Sequence, residues 1–478
     1  MKPEVDNTFC WYPFTLLALK EWNMYQGIMN ASPCCNSIRP ETPDPLNIKN
    51  KLMNNPDSIM PYEIFHGEEM ESIRQAMREG HRHPSCETCW KIEDRGSTSS
   101  YRLLSQPSGR NTTWETEQDL IGKPELRSID FAFGENCNLR CRMCGPGLSN
   151  KLRADYKFFI ENNMDTSGMA QYDWRREWSS KHRRFKNMSP EQQMKTVIEN
   201  DVWLRPNTET EVINWKHGRQ WQNILDNIHT LNHIKATGGE TLLTKPFQEF
   251  VDHAIEKDVA KNIMLEFHTN ATKFTDTWIE KFRHFNGLFL NLSIDSVGKN
   301  YEYCRYPMLW NKVDASLRRL LDKLEPISQE RELPIIRNFS FNPVISVLNA
   351  HSLPALFDYQ TELVKNYTCF EHTVFWVDLL WPDDKYINVR FLPPHVKQNL
   401  LNMYEQIPIK AIDGGRGQIT PQVEVVCNHI SSHLDYEPTE QDRQNMHREI
   451  TLFDKSRNQS YNDYLHQEII EFLETPRA

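Results

Sequence analysis

The sequence predicts an α/β protein in which parallel strands are joined by crossover helices, preceded by a small metal-stabilised region. Three observations carry that prediction. From Ser128 onward, apolar β-prone runs alternate with helix-patterned stretches. Eight of the 11 cysteines fall before residue 145, in clusters. Clustered cysteines in a chain without secretory features point to metal ligands more than to disulfides. Residues 1 to about 128 are irregular and rich in turn residues, with few long apolar runs. With 478 residues, the chain has room for about three domains, or one large barrel with attachments, at roughly 150 residues per domain.

The elements follow in order. A short helix is predicted over Glu68–Gly80, between an acidic start and a glycine stop. Strands are predicted at Ile129–Phe133, His233–Ala236, Ile263–His268, Leu288–Ile294, Ile335–Leu348 and Thr373–Leu380. Helices lie between them, among them Phe247–Glu256, Thr275–Phe285 and Asn311–Leu324. Six such strands make an incomplete barrel or an open sheet. Residues 151–230 form a long gap that reads as a helical insertion, because Ser189-Pro190-Glu191-Gln192 is a capping box with proline at the first helical position. After residue 390 the chain reads as helical. Tyr461, Tyr464, Leu465, Ile469 and Phe472 form one stripe on a C-terminal helix. The expected domains are therefore 1–127, 128–390 with the insertion 151–230, and 391–478.

Composition narrows the function classes. Hydrophobic residues make up 38%, against about 45–50% in an average soluble protein, and mean hydropathy is −0.67. The aromatic content (Phe 23, Tyr 16, Trp 13) nevertheless argues for packed cores over disorder. A net charge of −10 disfavours a global match to nucleic acid, though a local basic patch stays open. No apolar run reaches the roughly 18–20 residues of a membrane span. No secretory signal is visible, so a cytoplasmic protein is expected.

The most informative segment runs from Ser128 to Gly147 and holds Cys137, Cys141 and Cys144 directly after a predicted strand. Three thiolates on one tight loop can hold three irons of a [4Fe–4S] cluster and leave the fourth iron open. The competing reading is a zinc ion with a distant fourth ligand, though C-x3-C-x2-C is a less common zinc spacing than paired C-x2-C knuckles. At the end of the next predicted strand stands Gly238-Gly239-Glu240. Glycines let the backbone approach a ligand closely, and carbonyls and a carboxylate accept from an ammonium. Later strand ends carry Thr269-Asn270, Ser293 with Asp295, Arg305 ten residues on, and Val347 with Asn349.

In this order, over residues 128–380, the chain resembles the radical S-adenosylmethionine superfamily, whose signature is a C-x3-C-x2-C loop after the first strand of a partial (β/α)6 barrel. The resemblance implies that Cys137, Cys141 and Cys144 ligate the cluster and that Met143 packs on the adenine. It gives Gly238, Gly239 and Glu240 the amino group of S-adenosylmethionine. Thr269, Asn270, Ser293, Asp295, Arg305, Val347 and Asn349 would contact the ribose, carboxylate and adenosine. Ala271 stands where the family has glycine. The implied chemistry is one-electron cleavage of the C5′–S bond, giving a 5′-deoxyadenosyl radical that takes hydrogen from a substrate.

The first region resembles the auxiliary-cluster modules called SPASM or twitch: Cys10 followed by Pro13-Phe14, then Pro33-Cys34-Cys35, then Cys86-x-x-Cys89. It implies a second [4Fe–4S] cluster on Cys10, Cys34, Cys86 and Cys89, with Cys34 favoured over Cys35 by motif position. Such a module usually follows the barrel; here it precedes it. The competing reading is zinc on Cys86 and Cys89 with His81 or His83. Cys304, Cys369 and Cys427 stand alone and read as buried apolar cysteines. The basic, aromatic stretch Tyr172–Lys186 could grip phosphates and bases or an acidic peptide. The expected activity is a radical S-adenosylmethionine oxidoreductase acting on a peptide or protein side chain. A carbohydrate, nucleotide or RNA substrate is the alternative, and a non-enzymatic metal-stabilised binding protein is a third reading. A flavodoxin- or ferredoxin-type electron donor is the expected partner, with nucleic acid not favoured and no membrane.

Overall fold

The computed structural model describes residues 8–21, 29–37, 46, 59–94, 101–104, 120–145, 148–166, 192, 218–380, 386–408 and 419–475. The protein is α/β, with mostly parallel strands and many helices. It divides into two compact units. The first comprises Met1–Gly134, Arg205–Phe267 and His284–Asn286; the second comprises Glu135–Leu204, His268–Arg283 and Gly287–Ala478.

The first unit is built on β1 (Leu16–Glu21), β2 (Met29–Ser32), β3 (Ser128–Ala132), β4 (His233–Thr237) and β5 (Met264–Thr269), whose last two residues fall in the second unit. The order is β2-β1-β3-β4-β5, with β1 and β2 antiparallel and the other pairs parallel. Side chains alternate faces along a strand. The register aligns Leu17, Ile129, Ile234 and Leu265 in one row, then Leu19, Phe131, Ala236 and Phe267 in the next row of the same face. Leu17, Ile129, Ile234 and Leu265 are all fully buried. The helices Arg219–Asp226 and Lys245–Glu256 cover that face through Trp221, 5.7 Å from the Phe131 ring, and Phe250, 6.0 Å from it. Each such buried side chain contributes roughly 1.5–3 kcal/mol. The intervening row, Ala18, Asp130, Lys235 and Glu266, carries the charges.

The region before residue 128, expected to be irregular apart from one helix, also contributes strands. Leu16-Leu17-Ala18-Leu19 is buried throughout. The run is too short to mark a strand alone, and it becomes one because β3 offers a parallel edge for its backbone. The helix predicted over Glu68–Gly80 is found at Glu68–Arg78.

The second unit contains β6 (Gly287–Leu292), β7 (Ile336–Phe341), β9 (Phe370–Trp376) and β11 (Ile419–Gln422) in the order β6-β7-β9-β11, all parallel. A separate parallel pair joins β8 (Val344–Ile345) to β10 (Asp378–Leu379). The single strand predicted over Ile335–Leu348 is thus two, broken at Asn342-Pro343, where proline has no N–H for the ladder. Helices Asp276–Phe282, capped by Thr275, and Trp310–Gln329 stand where helices were predicted. The C-terminal region is mostly helical, but β11 adds a strand that its composition does not announce. The predicted C-terminal stripe is not one helix. Tyr461–Asp463 forms a single 3-10 turn, and a new helix, Gln467–Glu474, starts after His466 accepts from the Glu468 N–H. Of the insertion, Arg153–Glu161 and Arg219–Asp226 are helical; Ser189–Glu191 and the stretch Tyr172–Lys186 lie outside the described residues. Among the described residues no helix is long and apolar enough to cross a membrane.

Candidate functional site

Cys137 and Cys141 are buried, and Cys144 is partly so. The loop that carries them turns tightly because its backbone is tied at every step. The Arg140 N–H donates to the Tyr306 carbonyl (2.7 Å), the Arg142 N–H to the Cys304 carbonyl (2.9 Å) and the Cys144 N–H to the Cys141 carbonyl (3.2 Å). The Leu139 carbonyl accepts from Ser149 Oγ at 2.6 Å, and Asn150 Oδ1 accepts from the Cys137 N–H at 3.3 Å. Leu139 is fully buried and packs with Cys137, Cys141 and Met308.

The second unit brings several of the sequence-predicted residues to these sulfurs. Asn270 Nδ2 donates to Asn138 Oδ1 (3.0 Å) and lies 3.9 Å from Cys137 Sγ. Arg305 Nη1 lies 3.8 Å from Cys141 Sγ, while its Nε donates to Asp295 Oδ2 at 2.5 Å. Asp295 Oδ1 accepts from the Val344 N–H at 2.9 Å, and Asn349 Nδ2 donates to the Asp295 carbonyl at 2.9 Å. Asp295, Arg305 and Asn349 therefore form one buried polar chain leading to Cys141. The Thr269 carbonyl accepts from the Ser293 N–H, and Thr269 Oγ1 from the Ala271 N–H. Ala271 has φ +60°, the left-handed backbone that glycine adopts freely. Val347 is buried and donates its N–H to the Ile387 carbonyl. Met143 is buried as well.

Electrostatics favour a thiolate at Cys144 and oppose one at Cys141, whose pKa is raised by its hydrogen bond to Cys144 and by burial. A hydrogen bond from Cys141 lowers the pKa of Cys144; burial opposes this, and the Arg305 charge assists. Burial also works against the Arg305 cation, but Asp295 and Cys141 outweigh it and hold the guanidinium charged. Hydrogen bonds and charges at the sulfurs are among the ways a protein sets a cluster's potential.

Gly238, Gly239 and Glu240 belong to the first unit. At Gly238, φ is +99°, and a Cβ would stand 2.7 Å from the Gly134 carbonyl oxygen and 2.9 Å from the Phe133 nitrogen. The glycine is required by close backbone packing on the end of β3. Glu240 is fully buried, and its carboxylate accepts from the Leu242 N–H, capping a 3-10 turn.

The first unit also gathers the early cysteines. Cys10, Cys34, Cys86 and Cys89 line one small cavity of about 20 Å³. Cys35 is not on its wall. The Cys34 carbonyl accepts from Ser32 Oγ (2.8 Å) and Ser37 Oγ (2.9 Å), which fixes a turn. Thr88 Oγ1 donates to the Asn36 carbonyl at 2.9 Å and binds that turn to helix Glu87–Glu93. Burial, and then the neighbouring cysteines, raises the pKa of Cys34 and of Cys86, while Arg102 on the cavity wall acts to lower Cys86. Neither histidine of the zinc alternative lines the cavity. His83 Nδ1 accepts from the Ser85 N–H, and His81 is exposed beside Glu79.

Sequence reading missed a further set. Arg142 is buried between two of the loop's cysteines. Its Nη2 donates to Asp454 Oδ1 (2.5 Å) and Gln459 Oε1 (3.0 Å), its Nε donates to the Tyr303 carbonyl, and its guanidinium lies 3.7 Å from the Tyr303 ring centre. Arg140 and Arg457 share Asp155. The arginines were visible in the sequence. The carboxylates that pair with Arg142 and Arg457 lie some 300 residues away and carried no signal.

No family model matches the chain, and no curated protein matches it. Among solved structures, the chain is similar to Streptococcus suis SuiB bound to S-adenosylmethionine, at 11% identity and a TM-score of 0.31, with 73% of this chain and 64% of that one covered. It is similar to SuiB bound to the precursor peptide SuiA, at 12% identity and a TM-score of 0.32, with 74% and 68% covered. It is similar to anSMEcpe with bound AdoMet and a Cp18Cys peptide, at 18% identity and a TM-score of 0.25, with 36% and 46% covered. The chain thus spans just under two thirds of the first of these, and likenesses of this size carry no weight for function.

Proposed function

We propose that the chain is a radical S-adenosylmethionine enzyme. The observation that supports this best is a buried three-cysteine loop with a charged arginine and an amide directed at its sulfurs, at the end of a polar chain formed by Asp295, Arg305 and Asn349. The donor set suits a [4Fe–4S] cluster held by Cys137, Cys141 and Cys144, because positive charge and N–H groups stabilise thiolate sulfur. When bound, the cluster and S-adenosylmethionine supply one-electron cleavage of a carbon–sulfur bond and hydrogen-atom abstraction from a substrate. The protein's own residues hold and shield. Asp295 fixes the Arg305 fork, Asn349 fixes Asp295, and the packing of Leu139 and Met308 shields the buried Cys137 and Cys141 sulfurs from water. Thr269, Ser293 and Val347 are proposed as ligand contacts. Gly238, Gly239 and Glu240 are proposed on the resemblance alone.

Cys10, Cys34, Cys86 and Cys89 are proposed to hold an auxiliary [4Fe–4S] cluster, supported by their shared cavity and by the absence of His81 and His83 from its wall. A fully ligated cluster of this kind suits electron relay, hence net oxidation of a peptide or protein side chain, with a flavodoxin- or ferredoxin-type donor. A carbohydrate, nucleotide or RNA substrate is the second choice.

The test is elemental and spectroscopic. Anaerobically reconstituted protein is analysed for iron, sulfide and zinc, with EPR of the reduced state before and after S-adenosylmethionine. The expected result is about eight irons per chain, two four-iron clusters, and a signal perturbed by S-adenosylmethionine. About four irons with one zinc would leave the first unit's site structural. Zinc without iron would overturn the enzyme reading.

A further inference from the structure

The C-terminal helix Gln467–Glu474 brings a second kind of donor set together, far in sequence from every cysteine. His466 and Glu468 stand at its start, and His351 lies in the 3-10 turn Ala350–Ser352. One donor atom from each residue can be chosen so that all three lie within 4.8 Å of one another. His351 Nε2 is 3.0 Å from Glu468 Oε2, and His466 Nδ1 is 3.8 Å from the same oxygen. The two imidazoles lie face to face, with centroids 3.8 Å apart and planes 8° from parallel. Asn399 Nδ2 donates to the other carboxylate oxygen at 2.6 Å and so holds the carboxylate in place.

We propose that His351, His466 and Glu468 bind a divalent transition-metal ion of the zinc class. Two imidazoles and one carboxylate are a donor set that such ions take, with water completing a four-coordinate shell. Donors at about 2.0–2.2 Å from one ion sit about 3.4 Å from each other. The His351–Glu468 separation opens and the His466–Glu468 separation closes, each by a few tenths of an ångström. Asn399 plays the part of the outer hydrogen-bond donor that orients a metal-ligating carboxylate. Two changes accompany binding. The ion takes the place of the proton between His351 Nε2 and Glu468, that proton passing to His351 Nδ1 or to solvent, and the stacked rings tilt apart toward the ion. The Glu468 N–H, 3.4 Å from His466 Nδ1, is a weak competitor. His466 is half-exposed, which gives an ion access. A bound ion would fasten the last helix to the turn that follows Asn349.

This site is independent of the iron chemistry proposed above and is tested separately. The full chain, with its clusters reconstituted anaerobically, is titrated with Zn²⁺ alone. Zinc per chain is measured after gel filtration, and zinc-edge X-ray absorption identifies the neighbouring atoms. The expected result is one zinc with nitrogen and oxygen neighbours and imidazole scattering. His466→Ala, at a half-exposed position, should weaken binding at least tenfold with unchanged circular dichroism, and Glu468→Gln should do the same. No zinc uptake, zinc with sulfur neighbours only, or nitrogen-ligated zinc retained in both variants would each overturn the proposal.

Discussion

Individual side chains define the surroundings of both cysteine sets. Arg305 and Asn270 approach the sulfurs of Cys141 and Cys137, and Arg102 faces the cavity of the early cysteines. At Gly238 the reason for the residue is steric. Gly238→Ala would press a methyl group onto the Gly134 backbone at a φ of +99°. Neither the clash nor the backbone strain has a flexible side chain to absorb it. A loss of about 2–4 kcal/mol in urea unfolding is expected; a change under about 0.5 kcal/mol would show that the β4 turn can shift without cost.

At the scale of elements, helix Glu68–Arg78 shows how one buried cation organises a segment. Arg74 is buried and donates to the Pro13 carbonyl (2.8 Å), the Phe65 carbonyl (2.6 Å) and Glu71 (3.1 Å). Burial works to raise the Glu71 pKa, but hydrogen bonds from Arg78 and Arg74 outweigh it and hold the carboxyl below its ordinary value. A carboxyl depressed in the folded state contributes stability that is complete above its unfolded pKa, near 4.3. That contribution is lost as pH falls through the folded value. Glu71→Gln should therefore be less stable than the wild type at pH 7 and approach it as the pH falls below about 4. Unfolding free energies measured across that range check this, and a gap that stays constant with pH would exclude the ionised pair as its cause.

At the scale of the whole molecule, the second unit closes on itself through charges. Helix Glu440–Arg457 supplies Asp454 to Arg142 in the cysteine loop and Arg457 to Asp155. Breaking a buried pair leaves one charge uncompensated, at a cost of about 3–5 kcal/mol. Asp454→Ala should therefore destabilise the protein by that order in chemical denaturation and lower its iron content, because the loop loses its anchor. Iron retained in full would mean the loop's backbone hydrogen bonds suffice to hold it.

Much of this was legible in the chain. The alternation of apolar runs and helical patterns determined the α/β class, because periodicity in side-chain chemistry is a local property. The three-cysteine loop, its position after a strand and the polar strand ends could be read the same way, since each is a short segment. Other features were decided only by tertiary structure. β1 becomes a strand because β3 lends it an edge, and Asn342-Pro343 divides a run that hydropathy alone joins. The partners of Arg142, and the meeting of His351 with His466 and Glu468, join residues more than a hundred positions apart. No local pattern encodes such pairs, because the pairing is made by packing and by the cost of leaving a buried charge unpaired.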